Sequence, residues 1–118
     1  MHPALIPLQH IDELDGLISD GRPLLLFKHS YTCGVSAEAL DELIGHVERD
    51  ADDHARYAII TVQTHRALSN AVSQRFGVRH ETPQVLLIRG GRVVWSATHF
   101  RVTAEAVGAA LSAQAAAR

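Results

Sequence analysis

Cys33, the single cysteine of the chain, lies between an apolar segment of strand length and a segment with helical periodicity. The first of these segments is Pro23–Phe27, and in the second, from Val35 to Val47, apolar residues recur with the spacing of a helix face. The first turn of a helix has unpaired N–H groups and the positive end of the helix dipole, so it favours an anion. A thiol at such a turn has a pKa below its usual value of about 8.5, in favourable cases between roughly 3.5 and 7.5. This position makes Cys33 a candidate nucleophile.

The residues that follow Cys33 are expected to stabilise a thiolate. Gly34, Val35 and Ser36 would form the first turn of the predicted helix, where backbone N–H groups point toward the sulfur. The Ser36 hydroxyl has two interpretations. It is either one more donor to the sulfur or a residue that only satisfies backbone groups in the first turn.

Two basic residues, Lys28 and His29, stand just upstream of Cys33. Either side chain could add positive charge near a thiolate or bind a carboxylate of a small thiol. His29 could instead be packed at the end of a strand. Two further basic residues, Arg79 and His80, precede a loop that contains a proline, and we interpret them as solvated loop charge.

The rest of the pattern predicts the element order α-β-α-β-α-β-β-α. Helices are predicted at 9–19, 35–47, 65–76 and 103–113, and strands at 24–28, 57–63, 84–88 and 93–97. Residues 1–8, with Pro3 and Pro7, are predicted to be an extended lead-in, and residues 114–118 a frayed tail. Because crossover connections are right-handed, the first two strands are predicted to be parallel neighbours, and a hairpin then adds two antiparallel strands. The chain is therefore predicted to be one α/β domain over residues 1–118, with a mixed four-stranded central sheet.

The composition is typical of a globular domain and argues against several classes of function. The chain has 118 residues, of which 47% are hydrophobic, and a formal net charge of -2 with a pI near 6.4. This charge does not favour nucleic acid or an anionic membrane surface as a partner, and no apolar run approaches the ~18 residues that cross a bilayer. One cysteine cannot form an intramolecular disulfide, and the N-terminus lacks the features of a secretion signal, so we expect a cytoplasmic protein. The eight histidines show no spacing typical of a metal site, so we expect no metal.

Two local features resemble the thioredoxin fold. The first is Cys33–Ser36, a C-x-x-S version of the redox motif in which Ser36 stands where a dithiol enzyme has its second cysteine. The second is Thr82-Pro83, directly before the predicted strand Gln84–Ile88. In thioredoxin-like proteins this proline is cis and lies beside the nucleophilic cysteine. The resemblance implies a thioredoxin-like α/β fold with an extra N-terminal helix, and a cis-proline loop whose backbone aligns an incoming disulfide.

A longer stretch is similar to the monothiol bacilliredoxins, small thioredoxin-like proteins of bacteria that use bacillithiol. The stretch consists of Phe27-Lys28-His29-Ser30 followed by Thr32, Cys33 and Ser36. The family commonly has Thr-Cys-Pro-Ile-Ser, whereas the middle pair here is Gly34-Val35. A glycine after the cysteine resembles the Cys-Gly-Phe-Ser motif of monothiol glutaredoxins. Phe27 takes the place of the buried acid of many thioredoxins, so proton transfer would fall to solvent, to His29 or to the small thiol.

The resemblance implies a thiol-disulfide oxidoreductase that removes a small thiol, with bacillithiol favoured, from mixed disulfides with proteins. Cys33 would displace the protein thiol and take the small thiol onto itself, with Thr32, Thr82 and Pro83 in the thiol-binding surface. A second small thiol, or another redoxin or reductase, would then regenerate Cys33. No tightly bound cofactor is implied, because the small thiol is a co-substrate, and the expected protein partners are S-thiolated proteins.

Two other functions fit the same residues. Monothiol glutaredoxins hold an iron-sulfur cluster between two subunits by one cysteine each and two small thiols, and Cys33-Gly34 allows such binding, although the rest of the glutaredoxin signature is missing here. The second alternative is a thioredoxin-like module that binds partners without catalysis. Slow alkylation of Cys33 would favour this module.

Overall fold

The strand that ends just before the thiol turn lies at the centre of the structure. In the computed structural model, which describes residues 2–116, all 6 residues of this strand are buried. In chain order the elements are β1 (Leu5–Pro7), α1 (Ile11–Ile18), β2 (Leu24–His29), α2 (Gly34–Asp50), β3 (Arg56–Thr61), α3 (Arg66–Phe76), β4 (Gln84–Arg89), β5 (Arg92–Thr98) and α4 (Ala104–Ala116). A single 3-10 turn, His99–Arg101, joins β5 to α4.

The strands form one mixed sheet in the order β1-β3-β2-β4-β5. Strand β2 is parallel to β3 and antiparallel to β4, and β4 and β5 form an antiparallel hairpin. The predicted parallel pair and the predicted hairpin are therefore confirmed. Lys28 pairs with Gln84, so the start of β4 lies beside the end of β2.

The prediction of a four-stranded sheet behind an extended lead-in is wrong by one strand. Residues Leu5–Pro7 form β1, which runs parallel to β3 with Leu5 opposite Tyr57. Leu5 and Leu8 are each only 2% exposed, so the burial of these two side chains favours the strand despite the neighbouring prolines. Strand β1 is the edge of the sheet, where a proline is tolerated.

Successive side chains of β2 enter two different apolar layers, because neighbouring residues of a strand point to opposite faces. Leu25 and Phe27 pack in the layer that includes Leu43 of α2 and Val107 of α4. Leu24 and Leu26 pack in the other layer, which includes the following residues of α1 and α3: Leu14, Leu68 and Val72. Helices thus cover both faces of the sheet, which confirms the predicted α/β class.

The helix ends follow local capping chemistry. Helix α3 ends at Gly77, whose φ of 64° is left-handed and suits glycine. Helix α4 begins after Thr103, whose Oγ1 accepts a hydrogen bond from the Ala106 N–H at 3.1 Å. Helix α4 continues to Ala116, so residues 114–116 are helical, and residues 117–118 of the predicted tail lie outside the described chain. Between residues 2 and 116, no helix is long and apolar enough to cross a membrane.

Candidate active site

Cys33 is the N-cap residue of α2, as the sequence predicts. Its backbone is extended (φ -109°, ψ 121°), and its carbonyl accepts the first helical hydrogen bond, from the Ala37 N–H at 3.1 Å. The turn before it is closed by the Cys33 N–H, which donates to the Ser30 carbonyl at 3.2 Å. The residue is partly exposed, and in the described chain no hydrogen bond ties its side chain to the first-turn N–H groups of Val35 or Ser36. The thiol thus stands at the positive end of the helix dipole and is open to a reaction partner.

Ser36 connects the first turn of α2 to the end of β2. Its Oγ accepts a hydrogen bond from the Ser30 N–H at 3.0 Å and lies 2.8 Å from His29 Nδ1. Both side chains are buried, and the His29 ring also stacks on Phe27. Burial lowers the pKa of His29 below its usual value, so the ring is neutral at pH 7. The contacts favour the structural interpretation of Ser36, and they correct the expectation that His29 adds positive charge beside the thiolate.

The Thr82-Pro83 peptide bond is cis, as predicted from the resemblance. The pairing of Lys28 with Gln84 places Pro83 beside the end of β2, at the end of the sheet where Cys33 lies. The Pro83 carbonyl accepts a hydrogen bond from the His99 N–H at 3.0 Å, which holds the loop on its outer side. Within the described residues, the Thr82 N–H and C=O make no backbone hydrogen bond. Thr82 can therefore pair with an extended backbone that approaches Cys33.

Gln63, which sequence reasoning missed, holds the turn between β2 and Cys33. Its Nε2 donates to Ser30 Oγ at 2.6 Å and to Thr32 Oγ1 at 3.1 Å, and its Oε1 accepts from the Tyr31 N–H at 3.3 Å. Thr32, predicted to bind the small thiol, is exposed but already bonded in this way. The sequence signal for this contact was the position of Gln63 just after β3. Because β2 and β3 are parallel, they end at the same edge of the sheet, so Gln63 lies near the turn that follows β2.

Residues 6–107 match the family described as monothiol bacilliredoxin BrxC. The chain belongs to the monothiol bacilliredoxin family. The matched residues include the Cys33 turn, the Thr82-Pro83 loop and all five strands except the first residue of β1. Family membership and the fold together support a thiol oxidoreductase-like role.

Solved structures agree with this bacilliredoxin assignment at the level of the fold. A protein described as a candidate oxidoreductase with a thioredoxin fold is 30% identical, with a TM-score of 0.81 over 92% of this chain and 94% of that one. A mutant thioredoxin from Halobacterium salinarum is 23% identical, with a TM-score of 0.74 over 96% of this chain and 93% of that one. Thioredoxin from Fasciola hepatica is 14% identical, with a TM-score of 0.74 over 92% of this chain and 98% of that one. The two thioredoxins show the shared fold alone.

Lys28 of this bacilliredoxin does not point toward the thiol turn. It follows Phe27 and precedes His29 in β2, so its side chain enters the layer between the sheet and α3. There its Nζ donates to the Ser69 carbonyl at 2.9 Å and to Ser73 Oγ at 2.7 Å. Burial lowers the pKa of Lys28 to about 8. The expectation that Lys28 adds charge near Cys33, or binds a carboxylate of the small thiol, is corrected, because its amine is 0% exposed and engaged on the other face of the sheet.

A groove of about 370 Å³ lies beside the first turn of α2 in this bacilliredoxin. Its lining comprises Val35, Glu38, Ala39, Asp41, Glu42, His99, Phe100, Val102 and Thr103. Phe100 on one side of the groove is 73% exposed, and Tyr31 in the thiol turn is 63% exposed. Among residues 2–116, no group of three His, Cys, Asp or Glu side chains could hold a metal ion, and this includes the acidic side chains of the groove. The surface around Cys33 thus offers exposed aromatic and acidic groups.

Replacing Ser36 with alanine tests the structural role of its hydroxyl. The change removes the acceptor of the Ser30 N–H and the partner of His29 Nδ1, both at a buried position. We expect the free energy of unfolding to fall by about 1–3 kcal/mol, because buried polar groups lose their partners. The disulfide chemistry of Cys33 should stay within a few-fold of the wild-type rate.

The measurements are urea unfolding and the rate at which Cys33 reacts with a disulfide. Ser112→Ala on the exposed side of α4 is the matched control and should leave both values unchanged. A rate loss above about tenfold at unchanged stability would show instead that the Ser36 hydroxyl acts on the reacting sulfur.

Proposed function

We propose that the protein is a monothiol thiol-disulfide oxidoreductase that removes bacillithiol from S-thiolated proteins in the cytoplasm. The observation that carries this proposal is the partly exposed Cys33 thiol at the start of α2, with a buried, bonded Ser36 at the position of a second cysteine. A site with one thiol can exchange a small thiol but cannot form an internal disulfide. The bacilliredoxin family supports bacillithiol as that small thiol.

The reaction consists of two thiol-disulfide exchanges. In the first, the Cys33 thiolate attacks the bacillithiol sulfur of the mixed disulfide, the old S–S bond breaks, and the client protein leaves as a thiolate that takes a proton from solvent. In the second, a free bacillithiol thiolate attacks the bacillithiol sulfur now bound to Cys33. This step releases oxidised bacillithiol, the disulfide of two bacillithiol molecules, and restores the Cys33 thiolate. A separate reductase or redoxin must then reduce oxidised bacillithiol.

The surface around Cys33 supports a protein as the substrate. The Thr82 backbone, which makes no backbone hydrogen bond in the described part of the chain, can pair with the extended client segment that carries the mixed disulfide. The exposed rings of Tyr31 and Phe100 offer apolar contact area on a partner. The client therefore docks across the end of the sheet, with its mixed disulfide over Cys33.

The test is a turnover assay with two versions of one client protein, S-bacillithiolated and S-glutathionylated, each supplied with its own free thiol. We expect the client thiol to reappear at least about tenfold faster from the bacillithiolated version. Equal rates would overturn bacillithiol as the preferred thiol. No release from either version, while a dithiol thioredoxin reduces both, would overturn the oxidoreductase proposal.

A further inference from the structure

The feature that the exchange reaction does not use is the buried amine of Lys28. Of the 11 Lys and Arg residues in the chain, Lys28 is the only lysine, and its side chain is 0% exposed. None of the ion pairs found within residues 2–116 involves it. A buried charge without a carboxylate partner costs stability, so hydrogen bonds must satisfy its protons.

The three protons of the Lys28 ammonium have three acceptors. Two belong to α3, the Ser69 carbonyl and Ser73 Oγ, and the third is His80 Nδ1 at 3.4 Å. His80 Nδ1 also lies 3.3 Å from Ser69 Oγ. Burial and the Lys28 charge lower the pKa of His80, and because an ammonium can only donate, Nδ1 is the acceptor of its hydrogen bond with Lys28. The expectation that His80 is only solvated loop charge is therefore corrected: the residue is exposed, but its Nδ1 lies within hydrogen-bond distance of Lys28 and Ser69.

These contacts hold the loop that ends in Thr82-Pro83. His80 belongs to this loop, and Gln84 at the start of β4 is the cross-strand partner of Lys28. The Gln84 side chain closes the loop on itself by donating from Nε2 to the Arg79 carbonyl at 3.0 Å. The loop is thus fixed to β2 and α3 through Lys28, from the face of the sheet opposite to His29.

We propose that Lys28 and His80 are positioning residues that hold the Thr82-Pro83 loop in the place where it binds the mixed disulfide. Two consecutive residues of β2 then fix the two halves of the site from opposite faces of the sheet. His29 fixes the first turn of α2 through Ser36, and Lys28 fixes the proline loop through His80. This inference rests on the proposed function, because it assigns the loop to substrate binding.

The experiment compares Lys28→Met, His80→Leu and His80→Asn with the wild-type protein. Methionine keeps the length of Lys28 without its donors, leucine removes the acceptor of His80, and the Asn Oδ1 can replace Nδ1 as acceptor. For a bacillithiolated client we expect KM to rise about tenfold in Lys28→Met and His80→Leu, with kcat within about twofold, because a charged hydrogen bond that orders the binding loop is lost. His80→Asn should stay within about twofold of wild type in both constants.

Amide hydrogen exchange of residues 77–82 gives a second readout that needs no activity. We expect exchange about tenfold faster in Lys28→Met and His80→Leu and unchanged in His80→Asn. Iodoacetamide should alkylate Cys33 at the same rate in all four proteins, since the network does not reach the thiol.

Equal behaviour of His80→Leu and His80→Asn in either readout would overturn the positioning role, as would a loss confined to kcat or to the alkylation rate. If the wild-type protein transfers no small thiol, the proposed function fails. In that case, amide exchange that is unchanged in every variant overturns the anchoring of the loop as well. Exchange that is faster in Lys28→Met and His80→Leu but not in His80→Asn supports the anchoring.

Discussion

Replacing Cys33 with serine is expected to slow the removal of a small thiol from an S-thiolated protein by about a thousandfold or more. A serine hydroxyl stays protonated at neutral pH and cannot form a disulfide, and the chain has no other cysteine to take over the reaction. The measurement is the rate at which the client thiol reappears, followed with a thiol-reactive dye. Thermal unfolding should be nearly unchanged, because the Cys33 side chain is partly exposed and caps no first-turn N–H within the described residues.

Ser36→Ala is the control for this substitution, because it changes the same turn and keeps the thiol. We expect its rate to stay within a few-fold of wild type despite its lower stability. A Cys33→Ser protein that keeps more than about a tenth of the wild-type rate would show that the client thiol is released by another route.

Lys28 is expected to make the stability of the protein depend on pH in the alkaline range. Its folded-state pKa of about 8 lies below the pKa of 10.5 that a lysine has in an unfolded chain, so between these two pH values the unfolded chain binds more protons than the folded one. The free energy of unfolding should therefore rise with pH across this window. The cost of burying the ammonium, up to about 3 kcal/mol, is fully present below pH 8 and disappears as pH approaches 10.5.

Lys28→Met removes this titration and serves as the reference. Urea unfolding should show the wild-type protein gaining stability relative to the variant as the pH rises from 8 toward 10.5. His80 and Arg66 are the other basic groups beside this network, and both are unchanged in the variant. Because Lys28 is the only lysine, NMR of protein with isotope-labelled lysine gives one side-chain signal whose titration reports this pKa directly. A midpoint near 10.5, or parallel stability profiles of the two proteins, would contradict a buried Lys28 ammonium.

The long elements were predictable because their signals are local. The apolar run of β2, the β-branched run of β3 and the periodic residues of α2 each fix an element type without reference to the rest of the chain. Strand β1 has only 3 residues and includes Pro7, so its sequence carries no strand signal. It forms because pairing at the edge of the sheet buries the Leu5 side chain. Its existence depends on tertiary contact, which a local pattern does not show.

Some features of the candidate site could likewise be predicted from the sequence, and others depend on tertiary contacts. Cys33 at a strand-to-helix turn was predicted from local sequence, and the cis Thr82-Pro83 bond from family resemblance. The opposite directions of Lys28 and His29 follow from the period of a strand, in which neighbouring side chains point to opposite faces of the sheet. The contacts of Gln63 and His80 join segments far apart in the chain, so they depend on the strand order and not on a local sequence pattern.

The most direct test of the central claim is a single-turnover measurement by mass spectrometry. Wild-type protein and a bacillithiolated client are mixed in equal amounts without free bacillithiol, quenched with acid and digested. We predict that the mass of one bacillithiol appears on the Cys33 peptide at the rate and in the amount at which it leaves the client. A client that keeps its adduct, or loses it while the Cys33 peptide stays unmodified, would contradict the claim that Cys33 is the nucleophile that takes the small thiol.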